Sequence, residues 1–294
     1  MTADPDLLSP DLLAQIADLE LVARLVVDGL VSGLHRSPFH GYSAEFSLYR
    51  HYQPGDDLKY VDWKLAARTD RIYTKQFRET TNMAASIVLD TSGSMAFPPS
   101  GPTKFRYAVV LAAALSHLLA AQGDAIGLTA ASTDRGVFVP ARSGRAHLRR
   151  VLRALSSIRA GGGWRPADTV HRAADRLKRR GLLILLSDLY EDDDETLREL
   201  KRAHRMGHEV VLLQIISREE IDFPYRRDYE FADLETGRTL ALNAAFARDA
   251  YRDDIAAFLD RCRSRAAEEG FQHSLVVTDM APAHVLRAFL IARA

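Results

Sequence analysis

Residues 87–95 read IVLDTSGSM: a strand-length apolar run that ends on Asp90 and is followed by hydroxyls at Ser92 and Ser94. The run extends back through MAASIVLD at 83–90 with no alternation of polar and apolar residues. A strand of this kind is covered on both faces, as in a parallel sheet. The same pattern recurs outward along the chain. AIGLTAAS (125–132), GVFVPA (136–141), GLLILLSDLY (181–190), HEVVLLQII (208–216) and QHSLVVT (272–278) read as further strands. Between them, KFRYAVVLAAALSHLLAAQ (104–122), RAHLRRVLRALSSI (145–158), ADTVHRAADRLKRR (167–180), DDETLRELKRAHRMG (193–207), residues 244–269 and a segment from Pro282 read as helices. Apolar strands alternating with helices predict an α/β fold, a doubly wound and mainly parallel sheet.

Two regions depart from this pattern. At the start, Leu12, Ile16, Leu19, Leu25, Val26 and Leu30 predict an amphipathic helix from about Asp11 to Gly33, and residues 34–80 then turn dense in charges and aromatics with no dominant period. Between 217 and 242, an aromatic and charged stretch carries Glu235-Thr236-Gly237, a turn between two short strands, which predicts a small β-insertion. The expected organisation is an extension over 1–80 and an α/β domain over 81–294 containing the insertion.

Composition narrows the function. Lys plus Arg and Asp plus Glu both count 39, so the net charge gives no reason to expect nucleic acid or an anionic membrane as partner. The single cysteine, Cys262, excludes an intramolecular disulfide and a cysteine-based metal cluster, and makes the cytoplasm the expected compartment. The N-terminus lacks the basic start and apolar core of a secretory signal. The apolar stretch around YAVVLAAALSHLLAAQ, interrupted by Ser116 and His117, falls short of the roughly 20 residues that span a bilayer and reads as a buried helix. His35, His40 and His51 match no compact metal template, and Gly207 separates His204 from His208.

Ligands of open α/β sheets gather beyond the carboxyl ends of the strands, and two strands here end there on an acid, at Asp90 and Asp188. Asp90, Ser92 and Ser94 can place oxygens around one point, with Gly93 easing the curl. An oxygen-only set with few carboxylates suits a hard cation, Mg²⁺ before Ca²⁺, with Mn²⁺ as a substitute. The plainer reading has the two serines capping the next helix.

LDTSGSM resembles the first motif of the von Willebrand factor type A fold, whose metal-ion-dependent adhesion site combines D-x-S-x-S, a threonine from a second loop and an aspartate from a third. Asp90, Ser92 and Ser94 match the first motif, and Asp188 in LLSDLY matches the third. Where a Gly-Gly-Thr turn is usual, this chain has GGGWRPADTV, leaving Thr169 or the adjacent Asp168 as the middle ligand. The resemblance implies a site completed by a carboxylate from a protein partner. Residues 32–82, from SGLHRSPFHGYS through QPGDDLKYVDWK to RETTN, resemble the signature of the bacterial domain of unknown function 58 family. That resemblance implies association with a MoxR-type AAA+ ATPase and a chaperone or complex-maturation role. Within the segment, PGDD (54–57) and VDWK (61–64) read either as a second acid/base site or as a salt-bridged clamp on the α/β domain.

Neither G-x-x-x-x-G-K-[ST] nor G-x-G-x-x-G occurs, so any ATP use is expected from a partner. A serine hydrolase built on Ser92 or Ser94 with Asp279 and His284 is the enzymatic alternative, although G-x-S-x-G is lacking. The expected function is a non-catalytic, metal-dependent adaptor. A scaffold with a degenerate metal site is the runner-up.

Overall fold

Strand β3 (Ala84–Leu89) lies in the middle of a six-stranded sheet, with β6 (Leu182–Ser187) on one side and β4 (Ala125–Ala130) on the other. The computed structural model describes residues 9–35, 48–51, 73–76, 83–99, 101–130, 136–161, 165–177, 180–190 and 193–293. From edge to edge the order is β10 (Gln272–Val277), β7 (Glu209–Ile216), β6, β3, β4 and β5 (Val137–Arg142). All neighbours pair in parallel except β4 and β5, which are antiparallel. Ile87 stands opposite Leu128 on one side and Ile184 on the other. The chain winds outward in opposite senses from β3 and β6, so the switch point of the sheet lies between their carboxyl ends.

Strand side chains alternate between faces, and the buried residues sort accordingly. Ile87, Leu89, Ile184, Leu186, Leu213 and Ile215 join one core; Val88, Leu183, Leu185, Val210 and Leu212 join the other. The first core holds α1 (Pro10–Gln15), α2 (Leu19–His35), α3 (Lys104–Ala121), α4 (Arg145–Ser157) and α9 (Pro282–Ile291). The second holds α5 (Pro166–Asp175), α6 (Asp193–Arg205) and α8 (Ala244–Glu268). The doubly wound α/β sheet expected from the sequence is therefore observed.

Helix α3 is the one helix among the described residues long and apolar enough to cross a membrane, yet 72% of it is buried within the protein. It packs on the sheet and also on α2, α4 and α9, which is why nearly every side of it is apolar. From α2, Val22, Ala23 and Val26 are fully buried in the same core, each valine contributing about 1.5–3 kcal/mol. The helix predicted over 11–33 is two helices. Ile16 is extended, and Asp18 Oδ1 accepts from the N–H groups of Glu20 (2.9 Å) and Leu21 (3.2 Å) to start α2. Arg106 of α3 donates to the carbonyls of Ala14 and Ile16 and fixes the break.

Two strands that no period announced, β1 (Leu48–His51) and β2 (Tyr73–Gln76), form an antiparallel pair, with Leu48 opposite Gln76. PGDD, VDWK, His40 and residues 162–164 of GGGW lie outside the described residues. The β-insertion is a hairpin of β8 (Asp228–Ala232) and β9 (Thr239–Asn243). It follows a short helix, α7 (Arg218–Asp222), which sequence reading missed although Ser217 and Glu220 form a capping box. Phe223 packs on Phe231 and Tyr251, with ring centroids 5.7 and 4.5 Å away, and this contact seats the hairpin beside α8.

Candidate metal centre at the carboxyl edge of the sheet

Asp90 leaves β3 still in the ladder, its N–H bonded to the Leu186 carbonyl of β6 (3.0 Å). Its side chain is 2% exposed. Oδ1 accepts from the Ser92 N–H (2.8 Å), and Oδ2 accepts from the Ser187 hydroxyl (2.5 Å). Ser92 Oγ and Ser94 Oγ lie 2.9 Å apart, and Ser94 opens a 3₁₀ turn, Ser94–Ala96. The loop thus gathers the carboxylate and both hydroxyls as the spacing predicted. Gly93 is not needed for the curl, contrary to expectation. Its φ of −63° and ψ of −37° suit any residue, whereas a Cβ there would come within 2.4 Å of the Leu234 carbonyl oxygen. Glycine is required here by the close approach of the β8–β9 hairpin.

Asp188, 1% exposed, ends β6 beside Asp90. Its Oδ1 accepts from the Tyr190 N–H (3.2 Å) and its Oδ2 from Lys104 Nζ (2.8 Å). Leu189 between them has a φ of 63°, a strained left-handed conformation for a branched apolar residue. Lys104 stands at the first position of α3, wholly buried, and also donates to Glu220 Oε1 (2.5 Å). Burial works against its charge, but Asp188 and Glu220 outweigh that cost and hold its pKa above the ordinary lysine value. Sequence reading missed both Lys104 and Glu220. The available signal was a lysine at the N-terminus of an otherwise apolar helix, where the helix dipole disfavours a cation.

Asp188 and Glu220 both pair with the buried Lys104 ammonium, while Asp90, buried beside Asp188, has no ion-pair partner among the described residues. The excess falls on Asp90: burial first and the charge of Asp188 second push its pKa up to about 7, against the bonds from Ser187 and Ser92. A second cation at Asp90, Ser92, Ser94 and Asp188 would relieve that excess. The donors are all hard oxygens, which fits Mg²⁺ or Mn²⁺. No group of three or more His, Cys, Asp or Glu side chains able to hold a metal occurs among the described residues, so such a cation would depend on the hydroxyls and on water.

The middle loop reaches the site through its backbone, with Gly161 N–H bonded to the Thr91 carbonyl (3.0 Å). Its two candidate ligands are engaged elsewhere. Thr169 is buried in α5, with its hydroxyl donating to the Arg165 carbonyl (2.8 Å) of its own helix. Asp168 is exposed and pairs with Arg165 at 3.8 Å. Of the residues considered for a hydrolase, Asp279 is held by Arg218 (2.8 Å) and His284 faces solvent, and neither bonds to Ser92 or Ser94.

A doubly wound sheet with one antiparallel edge strand is the arrangement of a von Willebrand factor type A-like, Rossmann-like α/β fold. The profile of the family described as "Protein of unknown function DUF58" matches residues 48–265, and the chain belongs to that family. The uncharacterized protein Rv1480 of Mycobacterium tuberculosis (strain ATCC 25618 / H37Rv) is 30% identical over 270 residues, covering 87% of this chain and 84% of that protein. The uncharacterized protein YeaD of Bacillus subtilis (strain 168) is 29% identical over 121 residues, covering 41% of this chain and 28% of that one. Among solved structures, an aerotolerance-related membrane protein from Bacteroides fragilis NCTC 9343 shares the fold, with a TM-score of 0.50 and 17% identity over 70% of this chain and 96% of that one. The SpRpn10 VWA domain is also similar, with a TM-score of 0.41 and 14% identity over 70% of this chain and 95% of that one.

Proposed function

We propose that this chain is a divalent-metal-dependent protein-interaction module, an adaptor without catalytic activity of its own. The observation that carries the reading is the imbalance at the switch point: among the described residues, the buried carboxylates Asp90, Asp188 and Glu220 outnumber the buried Lys104, beside two hydroxyls. Asp90, Ser92, Ser94 and Asp188 would hold Mg²⁺ or Mn²⁺. When bound, the ion supplies a coordination position for a carboxylate oxygen of a protein partner. Asp90 and Asp188 contribute carboxylate oxygens, Ser92 and Ser94 position neutral oxygens, and Lys104 orients Asp188 through its hydrogen bond.

The wider role we propose is action with a MoxR-type AAA+ ATPase in assembling or maturing a protein complex in the cytoplasm. Support for the ATPase is the family resemblance of residues 32–82 together with the lack of a nucleotide-binding motif in this sequence. Support for the compartment is the lone cysteine.

A second reading, a scaffold with a degenerate site, is favoured by Thr169 and Asp168, whose side chains are engaged within their own helix region. Calorimetric titration of Mg²⁺ and Mn²⁺ into EDTA-stripped protein separates the two. The adaptor reading expects one ion in the wild type and none in Asp90→Ala; ion binding in neither overturns it in favour of the scaffold. Capture of a purified MoxR-type ATPase in Mg²⁺ but not in EDTA tests the partner.

A further inference from the structure

The tip of the β8–β9 hairpin lies directly on the loop that carries the two serines. Glu235 Oε1 accepts from the Ser94 N–H at 2.7 Å across 141 residues of chain. The Leu234 carbonyl occupies the space that a side chain at residue 93 would fill. The tip is itself well braced. Asp233 Oδ1 accepts from the N–H groups of Glu235 (2.8 Å) and Thr236 (3.0 Å), the Asp233 carbonyl accepts from Gly237 N–H (2.8 Å), and Gly237 takes a φ of 70°. Asp233 is held below the ordinary carboxylate range by those two backbone bonds, so the brace stays charged. Glu235 is exposed and forms no ion pair with any described residue. A braced turn thus presents an acidic side chain, with no countercharge among the described residues, to the loop of Ser92 and Ser94.

We infer that Glu235 occupies in cis the seat of the partner's acidic side chain, and that the partner presents its own carboxylate from a backbone turn that replaces the hairpin tip. The inference rests on the metal-dependent docking reading above. It specifies the partner's chemistry: an aspartate or glutamate on a braced turn whose main-chain carbonyl can approach Gly93, with the hairpin released on binding. It also gives Gly93 a function, since any side chain there would block both the internal turn and the incoming one.

The probe is a cyclised peptide copying residues 228–243, beside a copy carrying Glu235→Gln. Its binding is followed by fluorescence anisotropy to full-length wild type and to Glu235→Gln protein, in Mg²⁺ and in EDTA. Because Glu235 is a surface residue, the variant is expected to fold as the wild type does. The expected result is at least tenfold tighter binding of the acidic peptide to Glu235→Gln than to wild type in Mg²⁺, lost in EDTA and lost with the Gln copy. Calorimetry with Mn²⁺ on the same samples separates metal binding from occupation of the seat by Glu235. If Mn²⁺ binds both proteins but the peptide binds them equally or not at all, the seat in cis is overturned and the metal reading stands. If wild type takes up no Mn²⁺, both fall together.

Discussion

Lys104 Nζ lies 2.8 Å from Asp188 Oδ2, with the two side chains 0% and 1% exposed. The pair joins the start of α3 to the end of β6, and Glu220 extends it to α7. A buried ion pair adds little net stability over an apolar pair, but breaking one leaves an uncompensated charge out of water.

Lys104→Met is therefore expected to destabilise the protein by roughly 3–5 kcal/mol, read from urea denaturation midpoints at unchanged slope. Adding Glu220→Gln to that variant should restore part of the loss, because one of the two stranded charges disappears. A single variant as stable as wild type would show that Lys104 does not neutralise the site.

Asp90→Asn should behave oppositely in the two metal states. Without metal it removes a buried charge that faces Asp188, so the EDTA-treated variant is expected to melt at or above the wild-type temperature. With Mg²⁺ at about 100 times its dissociation constant, wild type gains about 2.7 kcal/mol while the variant gains nothing. Differential scanning calorimetry on the four samples reads this directly; equal metal responses would remove Asp90 from the site.

Gly93→Ala places a methyl 2.4 Å from the Leu234 carbonyl oxygen, so the backbone of the tip must move. The expected cost is about 1–3 kcal/mol, the usual range for overpacking. Hydrogen exchange should quicken in residues 228–243 while the sheet amides of β3 and β6 keep their protection. Unchanged exchange in the hairpin would mean that the contact with the loop is loose.

His208 gives the protein a pH dependence remote from the site. The residue is 4% exposed, its Nδ1 accepts from the Gly181 N–H at 3.3 Å, and its Nε2 has no partner among the described residues. Burial first and Arg202 second lower its pKa, against a smaller opposing effect of Asp175. A histidine with a lowered folded pKa takes up its proton more readily when unfolded, so its contribution is present above the ordinary histidine pKa of about 6.5 and is lost as pH falls below it. Between pH 7 and 5 wild type should lose at most roughly 2 kcal/mol more than His208→Asn. Parallel stability curves for the two proteins would refute the assignment.

Much of the sheet and half of the site were legible in the chain. A parallel strand buried on both faces must be apolar throughout, so IVLD and LLSD marked β3 and β6, and the polar residues ending them marked Asp90 and Asp188. The Asp-Ser-Ser spacing is local, and a local turn suffices to gather it. The break at Ile16–Asp18 escaped because the apolar spacing continues through it, while Arg106, 92 and 90 residues away, supplies the bonds that hold it. The middle ligand stayed ambiguous in GGGWRPADTV, and only the placement of α5 turned Thr169 onto Arg165 and Asp168 into solvent.

By itself, then, the sequence determined the α/β class, the edge of the sheet where ligands gather and the three oxygens of one loop, because each follows from periodicity or short-range spacing. The tertiary structure alone decided which distant groups meet at that edge: Lys104, 84 residues from its partner Asp188 and 116 from its partner Glu220, and Glu235, 141 residues from Ser94. A lysine at a helix start, a glutamate in a capping box and a glutamate in a turn all read as ordinary surface residues until packing removes water from the first two and aims the third at the serines.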